Sequence, residues 1–173
     1  MQPRAENPPS EKHTAYLALG TNLGNRLLNL KTAREALSER VRLVASSPVY
    51  ETPPWGILDQ PAFLNQVVQV ETELSPSDLL RYLKRLEMHM GRVPAERYGP
   101  RLIDIDILFY DQRMVEMRTL RIPHPHLAER AFVLVPLADL APDLRHPATG
   151  KTISNMLAHT DASGIHLFSP GES

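Results

Sequence analysis

Apolar and polar positions alternate from Thr14 to Leu19, with Tyr16 and Ala18 opposed to Ala15, Leu17 and Leu19, which predicts a strand. The run Gly20-Thr21-Asn22-Leu23-Gly24-Asn25 breaks it. Arg26–Arg40 then takes the helical period, with Leu27, Leu30, Ala33 and Leu37 close to one face. Val41–Tyr50 and Phe63–Leu74 predict two further strands, separated by the turn-rich Thr52-Pro53-Pro54-Trp55-Gly56. The clearest helix follows. Ser75 caps it, Pro76 occupies its first turn and Asp78 stands where a capping-box acid belongs. Leu79, Leu83, Leu86 and Met90 form its apolar stripe, and Gly91 stops it. A polar loop, Arg92 to Pro100, leads to a strand at 101–110. Beyond it the pattern predicts a strand over Val115–Ile122, a helix over Glu129–Leu140 bent at Pro136, and a short helix over Ile153–Leu157. Strand, helix, strand, strand, helix, strand is the order of a split β-α-β arrangement, an antiparallel-rich sheet with helices packed on it.

The strand at 101–110 carries the most informative chemistry. Asp104 and Asp106 alternate with Ile103, Ile105 and Ile107, so the two carboxylates share one face and the isoleucines the other. Aspartate is a poor strand former. A half-exposed antiparallel strand with its polar face in water would account for the pattern alone. Arg92, Arg97 and Arg101 just before it tip the balance toward a metal-bound polyphosphate, since carboxylates hold hard cations and guanidiniums hold phosphate.

Composition narrows the setting. The chain has 173 residues, enough for one domain with a real core, and a formal net charge of −1, which argues against a nucleic-acid or membrane-surface binder. It has no cysteine, so disulfides and cysteine-ligated zinc are excluded, and a cytoplasmic setting is expected. No apolar run is long enough to span a bilayer. Residues 1–13 read as a disordered leader, 14–160 as a single domain and 161–173 as a flexible tail. A monomer is expected.

Other candidates are weaker singly. The 20–24 turn can present N–H groups to an anion, but it lacks the lysine ending of a Walker loop, and a structural turn explains it better. Trp55 is either a plug over the core or a wall for a planar ligand. Phe63 and Asn65 share a strand face and offer a ring and an amide to a heterocycle, although a buried pair is the commoner explanation. Glu87 would ordinarily be a solvated helix residue. His124 and His126 lack a third ligand at zinc spacing, so a hydrogen bond from a loop histidine to phosphate is the better reading. Arg130 and Phe132 add a cation and a ring. Together these groups match the needs of a kinase acting on a planar heterocycle.

The ordered set Gly20-Thr21-Asn22-Leu23-Gly24, Tyr50-Glu51-Thr52-Pro53-Pro54, Phe63-Leu64-Asn65, Glu87, Gly91-Arg92 and Arg97-Tyr98-Gly99-Pro100-Arg101 with Asp104-Ile105-Asp106 resembles one family. So does the later run Ile122-Pro123-His124-Pro125 with Arg130 to Leu137. It is the 6-hydroxymethyl-7,8-dihydropterin pyrophosphokinase family of folate biosynthesis, and the resemblance runs from about Thr14 to Leu157.

That resemblance implies an α/β (α+β), ferredoxin-like three-layer sandwich that transfers diphosphate from ATP to the pterin hydroxymethyl group and releases AMP. By position, Asp104 and Asp106 would hold two Mg²⁺ ions. Arg92 and Arg101 would clamp phosphate and steady the transition state. Glu87, Arg97, Tyr98, His124 and Arg130 would belong to the ATP side. Phe63 and Phe132 would sandwich the pterin, with Asn65 and Thr52, Pro53, Pro54 and Trp55 at its edge. Tyr98 stands where many relatives carry tryptophan. The chain past Leu157 is too short for a second folate enzyme, so none is expected on it. An Asp-x-Asp nucleotidyltransferase is the first alternative, disfavoured because its turn and acids normally lie close in sequence. A non-catalytic ferredoxin-like ligand-binding module is the second, and it would need neither the acids nor the arginines.

Overall fold

The computed structural model describes residues 11–54, 58–91 and 100–170. Three long strands form the frame. β1 (His13–Thr21) pairs antiparallel with β4 (Phe63–Thr72) on one side and with β5 (Asp104–Tyr110) on the other. Ala15, Leu17 and Leu19 are buried on one face of β1, as the alternation predicts. The far edge of β4 pairs with both β2 (Arg42–Ser46) and β3 (Tyr50–Thr52).

The pattern predicts one strand over 41–50, and the structure divides it. Pro48 lacks the N–H a ladder needs. Ser47 makes the break by bonding sideways: its Oγ accepts from the Val67 N–H (3.0 Å), and its carbonyl accepts from the Gln66 side-chain amide (2.7 Å).

Helix α1 (Arg26–Leu37) starts at Asn25, whose side chain accepts from Leu28 N–H (3.1 Å). Helix α2 (Pro76–His89) starts at Ser75, whose hydroxyl accepts from Asp78 N–H (3.2 Å). Leu30, Ala33 and Leu37 of α1 and Leu79, Leu83 and Leu86 of α2 pack with the isoleucines of β5 in one core. Leu27, expected on that face, is exposed at the helix start. The opposite face of the sheet carries α3 (Ala131–Leu140) and α4 (Ile153–Ala158), whose Val133, Leu134, Leu137, Ile153 and Met156 form a second core with Val67, Leu108 and Phe109. The result is the expected three-layer α+β sandwich.

Four expectations need correction. The strand over Val115–Ile122 is a small hairpin, β6 (Val115–Glu116) against β7 (Arg121–Ile122), because Met117 and Leu120 bond across a turn. Helix α3 starts at Ala131, after a 3-10 turn at Leu127–Glu129, and Pro136 falls inside it. The 161–173 segment is not wholly a loose tail: β8 (His166–Leu167) pairs with β3 and extends the sheet. His13, expected in the 1–13 leader, instead opens β1 and bonds Asp111 at 2.6 Å; residues 1–10 lie outside the described residues. Among the described residues no helix is long and apolar enough to cross a membrane.

Candidate active site

Register across the sheet brings together residues that the sequence keeps apart. Tyr50 lies opposite Asn65, Asn65 opposite Gly20, and Gly20 opposite Asp104, in one row. The next row on the same face places Val67, Ala18 and Asp106 side by side. Small residues at Ala18 and Gly20 leave space above the middle of the sheet, beneath the start of α3. A cleft of about 400 Å³ opens there. A Cβ on Gly20 would sit 3.2 Å from Asn65 Oδ1 and 3.9 Å from Phe63, so glycine lets both side chains lie over β1.

The two aspartates line this cleft from β5. Burial, the neighbouring Asp104 charge and, more weakly, Glu87 push the Asp106 carboxyl up to about 7, against the opposing pull of Lys84 and Arg130. Two carboxylates that repel each other in a recess suit a hard dication, which relieves the repulsion. Among the described residues no group of three or more His, Cys, Asp or Glu is placed to hold a metal. The Asp104–Asp106 pair by itself suits Mg²⁺, which commonly takes one or two carboxylates and completes its shell with water and substrate phosphate.

Glu87, expected on the ATP side, does not line the cleft. It is 2 % exposed, accepts from the Ile105 N–H at 2.8 Å and pairs with Lys84 at 3.4 Å. The Ile105 amide belongs to the peptide joining Asp104 to Ile105, so this carboxylate steadies the backbone between the two acids. Lys84 itself lines the cleft, and the sequence pattern does not reveal it. Its only signal is the three-residue spacing to Glu87 on one helix face, which is commonplace.

Arg101, His124 and Arg130 supply the remaining polar wall. Burial, Arg130 and His126 push the His124 imidazole down to about 4, so the ring is neutral near pH 7. Its Nδ1 accepts from the His126 N–H at 3.2 Å, which leaves the proton on Nε2 as a donor. Arg101 is held at its backbone: Asn22 N–H donates to the Arg101 carbonyl (2.9 Å), and Arg101 N–H donates to Asn22 Oδ1 (2.7 Å). The Asn22 amide also donates to Gln60 and to the Pro61 carbonyl, both at 2.9 Å. The 20–24 turn is therefore structural, as expected. It fastens the start of β5 to the segment before β4.

Phe63 and Phe132 also line the cleft, and the Arg130 guanidinium lies 5.7 Å from the Phe132 ring centre. Asn65 Nδ2 donates to the Thr52 hydroxyl at 2.6 Å, so that hydroxyl keeps its own proton to donate. Pro53 joins the lining, whereas Pro54 does not. Trp55, Arg92, Arg97 and Tyr98 lie outside the described residues.

Residues 16–142 match the family model for 7,8-dihydro-6-hydroxymethylpterin-pyrophosphokinase. A 2-amino-4-hydroxy-6-hydroxymethyldihydropteridine pyrophosphokinase of Methylorubrum extorquens is 48 % identical over 87 % of this chain and 96 % of its own length. The protein of the same description from Pseudomonas aeruginosa is 44 % identical over 87 % of this chain and 93 % of its own. Among solved structures, a Plasmodium falciparum HPPK-DHPS chain superposes with a TM-score of 0.72 at 19 % identity, over 87 % of this chain and 46 % of that one. At that identity the match supports the fold alone.

Proposed function

The chain belongs to the 7,8-dihydro-6-hydroxymethylpterin-pyrophosphokinase family, and from that membership we propose a division of its cleft between ATP and pterin. It is a pyrophosphokinase of folate biosynthesis with ATP as co-substrate. The observation that carries the division is the order of the strands. Asp104 and Asp106 stand on β5, and Phe63, Asn65 and Thr52 stand on β4 and β3 beyond β1, with Arg130 and Phe132, 5.7 Å apart, contributed by the start of α3.

At the first end, Asp104 and Asp106 would hold two Mg²⁺ ions. Held there, they would supply neutralising charge to the polyphosphate and lower the pKa of the substrate hydroxyl. Arg101 and Arg130 offer fixed positive charge to the polyphosphate, and His124 donates from Nε2. Arg92, Arg97 and Tyr98 join this set on the family resemblance alone. Glu87 acts one step removed, through the Ile105 amide and Lys84. At the second end Phe63 and Phe132 enclose the pterin. Asn65 Oδ1 and the Thr52 hydroxyl read its edge beside Pro53, with Pro54 and Trp55 assigned to the rim by resemblance.

The reaction follows from this layout. The pterin hydroxymethyl oxygen attacks the β-phosphorus of ATP and gives up its proton to water or a cleft carboxylate, an O–P bond forms, the bond from the β-phosphorus to the bridging oxygen breaks, and AMP leaves with that oxygen. Transfers of this kind depend mainly on alignment and charge neutralisation, which a row of fixed strands supplies. We further propose a monomer, because the cleft is built from one chain, and a cytoplasmic setting as the sequence leads one to expect.

The test is AMP release from ATP and Mg²⁺ with and without 6-hydroxymethyl-7,8-dihydropterin. Pterin-dependent AMP without ADP is expected, and AMP yield should vanish in Asp104→Ala. Robust turnover in that variant would overturn the metal assignment.

A further inference from the structure

The segment that closes the sheet beside β3 reaches the heterocycle end of the cleft by two routes. Leu167 pairs with Tyr50 and His166 with Glu51, and the Phe168 N–H donates to the Val49 carbonyl at 2.9 Å. β3 is three residues long, and a strand that short frays when one edge is unpaired. Its continuation, Pro53, lines the cleft. Gly164, at φ +90°, runs against that proline: a Cβ there would lie 3.6 Å from Pro53 Cγ.

The second route passes through Arg26, the first residue of α1. Its guanidinium makes three contacts. One nitrogen pairs with Glu51 of β3 at 2.7 Å, another donates to the Ala62 carbonyl at 3.0 Å, and the group lies 5.6 Å from the Phe168 ring centre. Ala62 immediately precedes Phe63, so the same cation holds β3, the backbone entering the cleft's aromatic wall, and the C-terminal strand. A planar guanidinium needs a surface to stack on if it is to serve two acceptors in fixed directions. Phe168 is that surface, and its ring packs against the main core.

We infer that the C-terminal strand is a positioning element for the pterin end of the cleft, acting on Pro53 through Gly164 and on Phe63 through Phe168 and Arg26. The inference rests on the assignment of that end to the pterin. None of the named contacts directly involves Asp104, Asp106, Arg101 or His124; the one link toward them runs from Ala62 through Pro61 and Asn22 to the Arg101 backbone, so the larger effect falls on the pterin end.

The experiment is steady-state kinetics of the full chain with each substrate varied in turn, for Phe168→Ala, Phe168→Tyr and Phe132→Ala. Phe168→Ala should raise the pterin KM on the order of tenfold, below the hundredfold attached to a full ångström of misplacement. The ATP KM should stay within about twofold and kcat at saturation should change little, as for a change confined to substrate binding. Phe168→Tyr keeps the ring and should restore the pterin KM. If Phe168→Ala does not fold, Arg26→Lys reads the same split, keeping the charge beside Glu51 without the plane. Equal rises in both KM values, or unchanged kinetics in a protein that merely melts earlier, would overturn the proposal. If Phe132→Ala leaves pterin binding intact, the pterin assignment itself has failed. If Phe132→Ala loses pterin while Phe168→Ala keeps it, only the role of the strand falls.

Discussion

Replacing Asp106 by asparagine should stabilise the metal-free protein while destroying its activity. In the fold the Asp106 carboxyl is raised from 3.8 to about 7, first by burial and then by Asp104. A group raised on folding stabilises the folded state while it is protonated. That contribution is complete below the unfolded value and fades as pH climbs to about 7. Roughly three units at about 1.4 kcal/mol each give a loss of about 4 kcal/mol between about pH 4 and pH 7. The substituted amide carries no charge at any pH and should not incur this loss. Urea unfolding in the presence of a chelator, repeated across that range, measures the difference. The variant should exceed the wild type by up to about 4 kcal/mol near pH 8 and converge with it near pH 4. Magnesium should stabilise the wild type more than the variant near pH 8. A variant advantage independent of pH, or a variant less stable at pH 8, would refute the argument.

Other consequences can be checked one residue at a time. Phe132→Ala should weaken pterin binding on the order of a hundredfold and ATP binding far less, by titration of each ligand; equal losses would contradict stacking. Gly20→Ala brings a Cβ to 3.2 Å from an Asn65 oxygen whose amide is already pinned to Thr52, so the pterin KM should rise several-fold with the melting temperature nearly unchanged. Glu87→Leu leaves the Ile105 N–H without this acceptor and should cost about 1–3 kcal/mol in chemical denaturation, whereas Glu87→Gln should recover much of it. His124 is neutral above about 4, so the pH–rate profile should show no His124-dependent limb near 6.5, and a limb that disappears in His124→Gln would count against its neutral role.

The readable part of this chain is the part with a strong period. Alternation in β1 and β5 and the capped stripe of α2 are visible because side chains there obey one face each. Failures come where tertiary bonding overrides local pattern. Val41–Tyr50 reads as one strand, yet Ser47 turns its bonds toward β4 and Pro48 cannot continue the ladder. The 161–173 segment reads as loose because its order comes from partners far back in the chain: Val49, Tyr50 and Arg26. In the site, the residue types of Asp104, Asp106, Phe63 and Asn65 are legible, but their convergence is not. Gly20 and Asp104 are widely separated in sequence, a separation that disfavours one alternative, yet strand pairing makes them neighbours. Lys84 stays hidden because an exposed helix lysine has no distinguishing neighbour pattern.

The row that runs Tyr50, Asn65, Gly20, Asp104 works as a ruler. Adjacent strands lie about 4.8 Å apart, so the backbones of Asn65 and Asp104, the residues proposed to meet the pterin edge and the metal, are held about 10 Å apart across two hydrogen-bonded steps. That gauge depends on backbone pairing rather than on loop length. Loops at either end can lengthen, shorten or exchange residues while the gauge holds, leaving lineages free to vary the rim without resetting the distance the chemistry requires.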